Sequence, residues 1–235
     1  MDRKPIDLFS RGDALTTIGQ MPVPCIVGRS SSHFTRLVRV FAEELGVACE
    51  FAPVYDLSSL DARDYAGNPA LKLPVLRAGG VTIFGAENIC RALADTAPSR
   101  HRIVWPEEMH DAQARNAQEL VWHAMQAQVQ LGFGTQIAKL PAESIYFAKA
   151  TAGMRNALAW LDERVQSVID ALPPRDISML EASLFCLVEH LAFRATISLA
   201  PYERLTAFAH VFGKRASAQW TPYLFDTPPG APQPG

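Results

Sequence analysis

The sequence predicts a mixed α/β domain joined to an all-helical one, and three observations carry that prediction. Short β-rich runs alternate with amphipathic stretches over 23–97, β patterning stops after about residue 107, and Ala97-Pro98-Ser99-Arg100-His101-Arg102 between them supplies a helix breaker and charge. A chain of 235 residues is long enough for two small domains with working cores.

Residues 1–22 carry no clear period and are read as a tail. Val23 to Gly28 is a short apolar strand; Phe34, Leu37, Val38, Phe41 and Leu45 then recur at helical spacing until Gly46 supplies a stop. Cys49 to Val54 is a second strand, and Leu57 to Ala66 a weak helical stretch. Leu73-Pro74-Val75-Leu76-Arg77 and Val81-Thr82-Ile83-Phe84 flank Ala78-Gly79-Gly80 as a β-hairpin. Ala86 to Ala94 closes the unit as a helix, in the order β-α-β-α-β-β-α. A linker takes 98–106 and the helical domain 107–223. There Met154, Leu158, Leu161, Val165 and Val168 form one apolar stripe, and Leu180, Leu184, Leu187 and Leu191 another. Ser178-Met179-Leu180-Glu181 fits a capping box, with Ser178 as cap and Glu181 reaching back to its N–H. Residues 224–235 are a Pro/Gly-rich tail, because the prolines remove donors and fix φ.

Composition narrows the function classes. With 22 Lys+Arg against 24 Asp+Glu, the net charge of −2 lacks the basic field that binds phosphate backbones, so nucleic acid is not expected as a partner. Hydrophobic residues at 49% and charged residues at 20% describe a globular chain rather than a disordered one. Cys25, Cys49, Cys90 and Cys186 form no CxxC and have no histidine at ligand spacing; they read as buried thiols in a reducing compartment, with no metal site. No signal-like apolar segment and no run approaching the ~18 residues of a membrane span is visible, so a cytoplasmic protein without a membrane partner is expected.

Three element ends carry groups suited to chemistry. In Arg29-Ser30-Ser31-Ser32-His33-Phe34, one serine capping the helix accounts for the loop; alternatively, a hydroxyl at a helix N-terminus stabilises a thiolate or oxyanion. Leu73-Pro74 places a proline at a strand start, and a cis peptide there would turn the Leu73 backbone outward to pair with a peptide-like ligand. Glu87 and Asn88 open the next helix, where a carboxylate either complements the dipole or takes a ligand ammonium while the helix end takes a carboxylate. In the helical half Trp122, Met125, Phe133 and Tyr146 are either core or the wall of an apolar pocket, which glutamines between Gln113 and Gln136 would make partly polar. His101, His110, His123, His190 and His210 read as surface or capped core residues.

These motifs in this order resemble the glutathione S-transferase superfamily over about residues 23–223. The most specific pieces are Ser32-His33-Phe34-Thr35-Arg36, Lys72-Leu73-Pro74-Val75-Leu76 and Phe84-Gly85-Ala86-Glu87-Asn88-Ile89, and Lys214-Arg215-Ala216-Ser217 resembles the family's last helix. The resemblance implies a thioredoxin-like domain that binds glutathione as co-substrate, a helical domain that receives a small electrophile, and a homodimer engaged in detoxification. Carried over to this chain, Ser32 faces the glutathione sulfur, with Ser31 as the alternative. Leu73, before the cis-proline Pro74, pairs its backbone with the cysteinyl unit; Glu87 and Asn88 grip the γ-glutamyl end; Lys72 helps to hold the tripeptide. Asn88 stands where the family usually has Ser or Thr, and His33 where it often has Pro. The implied activity is glutathione transfer; the same frame serves glutathione-dependent isomerases, dehalogenases and peroxidases, and a non-catalytic binding or scaffold module is the alternative of another class. Thiol–disulfide reduction is disfavoured because it requires a cysteine at position 32.

Overall fold

The computed structural model describes residues 23–228 and 230. The expected tail over 1–22 lies outside the described residues, as do residues 229 and 231–235 of the C-terminal one. β1 (Cys25–Gly28) leads into α1 (His33–Glu44), which ends where Gly46 adopts φ +65°, a value that favours glycine. β2 (Glu50–Pro53) pairs parallel to β1; β3 (Val75–Ala78) pairs antiparallel to β1 on its other side, with β4 (Val81–Phe84) antiparallel beyond it. The sheet order is therefore β2-β1-β3-β4. Gly79 and Gly80, at φ +54° and +82°, make the two-residue turn between β3 and β4, whose twist demands positive φ at both positions. α2 (Ala86–Thr96) completes a thioredoxin-like unit.

The expected helix over 57–66 is absent. Only a short 3-10 turn forms at 62–65, capped by Asp61 and ended by left-handed Ala66 and Gly67. The rest of the stretch is loop, because Asp56 and Ser59 bond their own neighbours instead of continuing a helix.

The second half contains α3 (Ala112–Gly132), α4 (Ile145–Asp170), α5 (Met179–Arg194), α6 (Glu203–Phe212) and α7 (Ala216–Trp220). One element departs from pure helix: β5 (Ile103–Val104), in the expected linker, pairs parallel with β6 (Ile177–Ser178). Arg102 reinforces the pairing through its backbone and side-chain bonds to Asp176, so the segment between the domains is tied down. The box at α5 forms by half. Ser178 Oγ accepts from the Glu181 N–H at 3.0 Å, but the Glu181 carboxylate is drawn to Arg175 at 2.5 and 2.8 Å instead of returning to the backbone. The cysteine expectation also divides, since Cys90 and Cys186 are buried whereas Cys25 and Cys49 are partly exposed; all four are free thiols.

One apolar core runs through both domains. At their junction Arg36 of α1 is buried between the rings of Phe185 and Tyr223, its guanidinium carbon 4.7 and 4.3 Å from their centroids. Its Nη2 donates to the Ala218 carbonyl at 3.3 Å. A desolvated cation–π contact is worth about 2 kcal/mol. Arg36→Ala is therefore expected to lower the melting temperature by about 4–8 °C in thermal unfolding, at roughly 2–4 °C per kcal/mol for a chain of this size; an unchanged melting temperature would mean that the stack contributes nothing net.

Candidate functional site

Loop ends of the first domain meet one face of the helical domain around a cavity of about 520 Å³. β1 ends at Gly28, where an added Cβ would lie 2.5 Å from Thr35 Oγ1; only glycine lets the loop fold back onto α1. Arg29 N–H then donates to Thr35 Oγ1 at 3.3 Å, and Ser30 N–H to Asp226 Oδ2 at 2.8 Å. Ser32 is the N-cap of α1: its Oγ accepts from the Thr35 N–H at 3.3 Å, which leaves its O–H free to donate. Ser31 and Ser32 both line the cavity, Ser31 buried and Ser32 half-buried.

The Leu73-Pro74 peptide is cis and stands immediately ahead of β3. Buried Asn68 shapes the approach, donating to the Lys72 carbonyl at 2.7 Å and accepting from the Ala70 N–H at 3.0 Å. The N–H and C=O of Leu73 have no backbone partner among the described residues. Lys72, Leu73 and Pro74 all line the cavity.

α2 begins at Gly85, held at φ +85°, and no side chain caps it. Its first N–H groups are therefore open to an external acceptor at the edge of the cavity, which Gly85 and Ala86 line. Glu87 and Asn88 lie outside that lining. Arg91 takes the Glu87 carboxylate at 2.7 and 3.1 Å while also binding Glu107, and Asn88 Nδ2 donates back to the Phe84 carbonyl at 3.2 Å.

From the helical domain the cavity receives the last turns of α3 and the wide turn that follows, with Gln126, Gln128, Phe133 and Gln136 among the lining. Phe133 thus belongs to the pocket wall. Met125 is fully buried core, Tyr146 is exposed elsewhere, and Trp122 stacks behind Phe34 with centroids 6.0 Å apart. Of the α3 glutamines, only Gln126 and Gln128 at its end line the cavity, joined by Gln136 beyond it, whereas Gln118 is buried against Ser183.

Four cationic or imidazole side chains of the lining have no assigned role in the sequence reading: Arg29, His33, His190 and Arg194. His190 and Arg194 are four residues apart, on one face of a mostly apolar helix, and that spacing is the signal that could have revealed them. His190 Nε2 lies 3.0 Å from the Ser31 carbonyl; a carbonyl only accepts, so Nε2 carries the proton and Nδ1 is bare. His33 is 2% exposed, packs edge-on against His190 at 4.4 Å, and has no hydrogen-bond partner for either ring nitrogen, the Met125 backbone lying near without bonding geometry. Burial pushes the His190 pKa down to about 4, helped by Arg194. His33 falls well below its ordinary value for the same reason, with His190 and Arg194 adding repulsion. Both rings are neutral at pH 7. No Asp or Glu lines the cavity among the described residues, whereas Arg29, Lys72 and Arg194 do, so the space favours anions. No group of three or more His, Cys, Asp or Glu among the described residues is placed to hold a metal ion, and no described helix is long and apolar enough to cross a membrane.

Comparison with known proteins agrees with this architecture. Residues 27–101 match the family described as glutathione S-transferase, N-terminal domain. No curated protein sequence matches. A glutathione S-transferase from Methylobacillus flagellatus with glutathione bound superposes with a TM-score of 0.68 at 20% identity, covering 86% of this chain and 100% of that one. One from Methylobacterium radiotolerans, in complex with glutathione sulfonate, gives 0.68 at 18% identity, covering 88% and 99%. A glutathione transferase family member from Pseudomonas fluorescens with bound S-(propanoic acid)-glutathione gives 0.64 at 19%, covering 84% and 98%.

Proposed function

We propose that this chain, whose residues 27–101 match the glutathione S-transferase N-terminal domain and which shares the fold of those proteins, is an enzyme that binds glutathione and activates its thiol for attack on a small electrophile. The observation that carries this reading is that one cavity is lined both by Ser32, whose hydroxyl has a free proton to donate, and by Leu73, whose backbone has no backbone partner among the described residues. The cysteinyl unit of glutathione pairs with that backbone as a third strand edge would, which sets its sulfur before Ser32. The open N–H groups at the start of α2 receive the γ-glutamyl carboxylate, Glu87 the ammonium and Lys72 the glycyl carboxylate. Glutathione and two of its sulfur derivatives in the three structural neighbours support this occupant.

In the reaction the thiolate attacks the electrophilic carbon in the half of the cavity walled by Phe34, Phe133 and the end of α3, and the leaving group departs with its bond pair. Retention on immobilised glutathione and consumption of free thiol with an activated aryl halide test the reading. A non-catalytic module does neither.

Glu87 shares its carboxylate with Arg91, so its hold on the ligand ammonium falls at the lower end of the 1.5–3 kcal/mol of a charge-assisted bond. Glu87→Gln is expected to weaken glutathione binding about tenfold in calorimetric titration. An unchanged dissociation constant would leave Glu87 as the partner of Arg91 alone.

A cytoplasmic, detoxifying homodimer completes the proposal. Exposed Leu60 before the 62–65 turn and exposed Ile145 and Tyr146 at the start of α4 offer apolar surface to a second copy, and sedimentation at micromolar concentration decides the point.

A further inference from the structure

We infer that the second half of the cavity selects electrophiles that carry a carboxylate, held by Arg29 and Arg194. The inference rests on the glutathione-binding reading above and names the substrate class of the same site.

Both guanidinium groups line the cavity, one from the loop after β1 and the other from the end of α5. Neither has an acidic partner among the described residues. The Arg29 guanidinium donates one bond among the described residues, from Nη1 to the Tyr55 carbonyl at 3.2 Å, and its Nε is buried with no partner. Arg194 lies over the rings of Phe193 and Phe225, at 5.5 and 4.9 Å, contacts that leave its donors free. The nearest loop carboxylate, Asp226, is engaged by the Ser30 N–H at 2.8 Å and forms no ion pair with either arginine. Burial and the charge of Arg29 both lower the Arg194 pKa, as expected of two like charges that share one enclosed space. A guanidinium has five N–H donors in a planar fork that matches a carboxylate. Two such forks with unspent donors and no counter-charge among the described residues make a receptor for an anion.

Neighbouring groups agree in sign. Gln128, 3% exposed, has its Nε2 2.6 Å from Thr196 Oγ1 and its Oε1 unpartnered. Turning the amide over lets the Thr196 hydroxyl donate to Oε1, and in either orientation Gln128 brings no negative charge. His33, buried and neutral, likewise brings no negative charge to this end. Against this polar end stand Phe34, Leu131, Phe133 and Ile137, which suit a flat apolar body. Lys72 is separately placed beside Leu73, at the glutathione side, so its charge does not answer for the arginines.

A compound of this class is 4-chloro-3-nitrobenzoate. The glutathione sulfur forms a bond to the ring carbon, chloride leaves with the carbon–chlorine pair, and the thiol proton passes to solvent; nothing is oxidised or reduced. Its neutral counterpart is 4-chloro-3-nitrobenzamide. With each kcat/KM divided by the uncatalysed rate with glutathione, the full-length protein is expected to favour the benzoate at least tenfold. Arg194→Gln and Arg29→Gln should each reduce that ratio severalfold, and Arg194→Lys, which keeps the charge, should retain most of it. A binding arm removes dependence on turnover: on protein saturated with S-methylglutathione, 3-nitrobenzoate should bind at least tenfold tighter than 3-nitrobenzamide by calorimetry, and less so in Arg194→Gln. Equal treatment of acid and amide in both arms, or a preference indifferent to both arginines, overturns the inference while glutathione binding stands. Failure of S-methylglutathione to bind overturns the glutathione reading and this one with it.

Discussion

Ser32→Ala is expected to raise the thiol pKa of the glutathione complex by more than one unit and to cut kcat by roughly 10- to 100-fold, with little change in glutathione affinity where the thiol is protonated. A free cysteine thiol has a pKa of about 8.5, so about 3% is thiolate at pH 7. One hydrogen bond from the Ser32 O–H to the thiolate, worth roughly 2 kcal/mol, lowers that pKa by about 1.5 units and brings ionisation to about half. The gain in thiolate is about 15-fold, of which roughly fivefold is returned because nucleophilicity falls with pKa at a Brønsted slope of about 0.4–0.5. Ionisation alone thus yields only about threefold, and the remainder comes from holding the sulfur in attacking geometry. The same hydroxyl caps α1, so the substitution also costs about 1 kcal/mol of stability. Folding is therefore checked separately, and Ser32→Gly, which costs a cap only a few tenths of a kcal/mol, should show the same kinetic loss. Thiolate absorbance of the bound tripeptide against pH reads the effect directly; coincident titration curves would move the role to Ser31.

The legible parts of this protein are those that a local pattern encodes. The apolar spacing of Phe34, Leu37, Val38, Phe41 and Leu45 places α1 within a residue, and paired glycines place the β3–β4 turn. The weak stretch at 57–66 misleads because its amphipathic spacing competes with Asp and Ser side chains that satisfy their own backbone, a balance decided by individual bonds. In the site, Ser32, Lys72, Leu73 and Pro74 converge on one cavity as the motif order suggests. Glu87 and Asn88 stand just outside its lining, because Arg91, which Glu107 also holds, takes the one and the Phe84 carbonyl the other. Arg29 and Arg194 illustrate the limit: each is an ordinary cation in sequence, and only the packing of α5 beside the β1–α1 loop gives them one cavity and no counter-charge among the described residues.

The buried histidine pair should make the fold acid-sensitive in a window where carboxylates have not yet titrated. His190, with its pKa held at about 4 in the folded protein, titrates near 6.5 once unfolded. Between those values the unfolded chain binds the extra proton, so stability is fully present above about pH 6.5 and is lost as pH falls toward 4. At pH 5 the loss from His190 amounts to about 2 kcal/mol, or roughly 4–8 °C in melting temperature for a chain of this size. His33 adds in the same direction, because its burial and the proximity of His190 and Arg194 hold it further down. The charged groups bearing on His190, Arg194 and Arg36, both disfavour its protonation, and only its bond to the Ser31 carbonyl works the other way. Urea unfolding at pH 7 and pH 5 measures the effect, and His190→Gln, whose amide can still donate to Ser31, should show a distinctly smaller difference between the two pH values. Equal pH dependence in the two proteins would mean that His190 gains its proton without unfolding. In that case the ring has access to solvent or to an anion in the cavity, and the neutral state of His190 in the cavity wall would have to be abandoned.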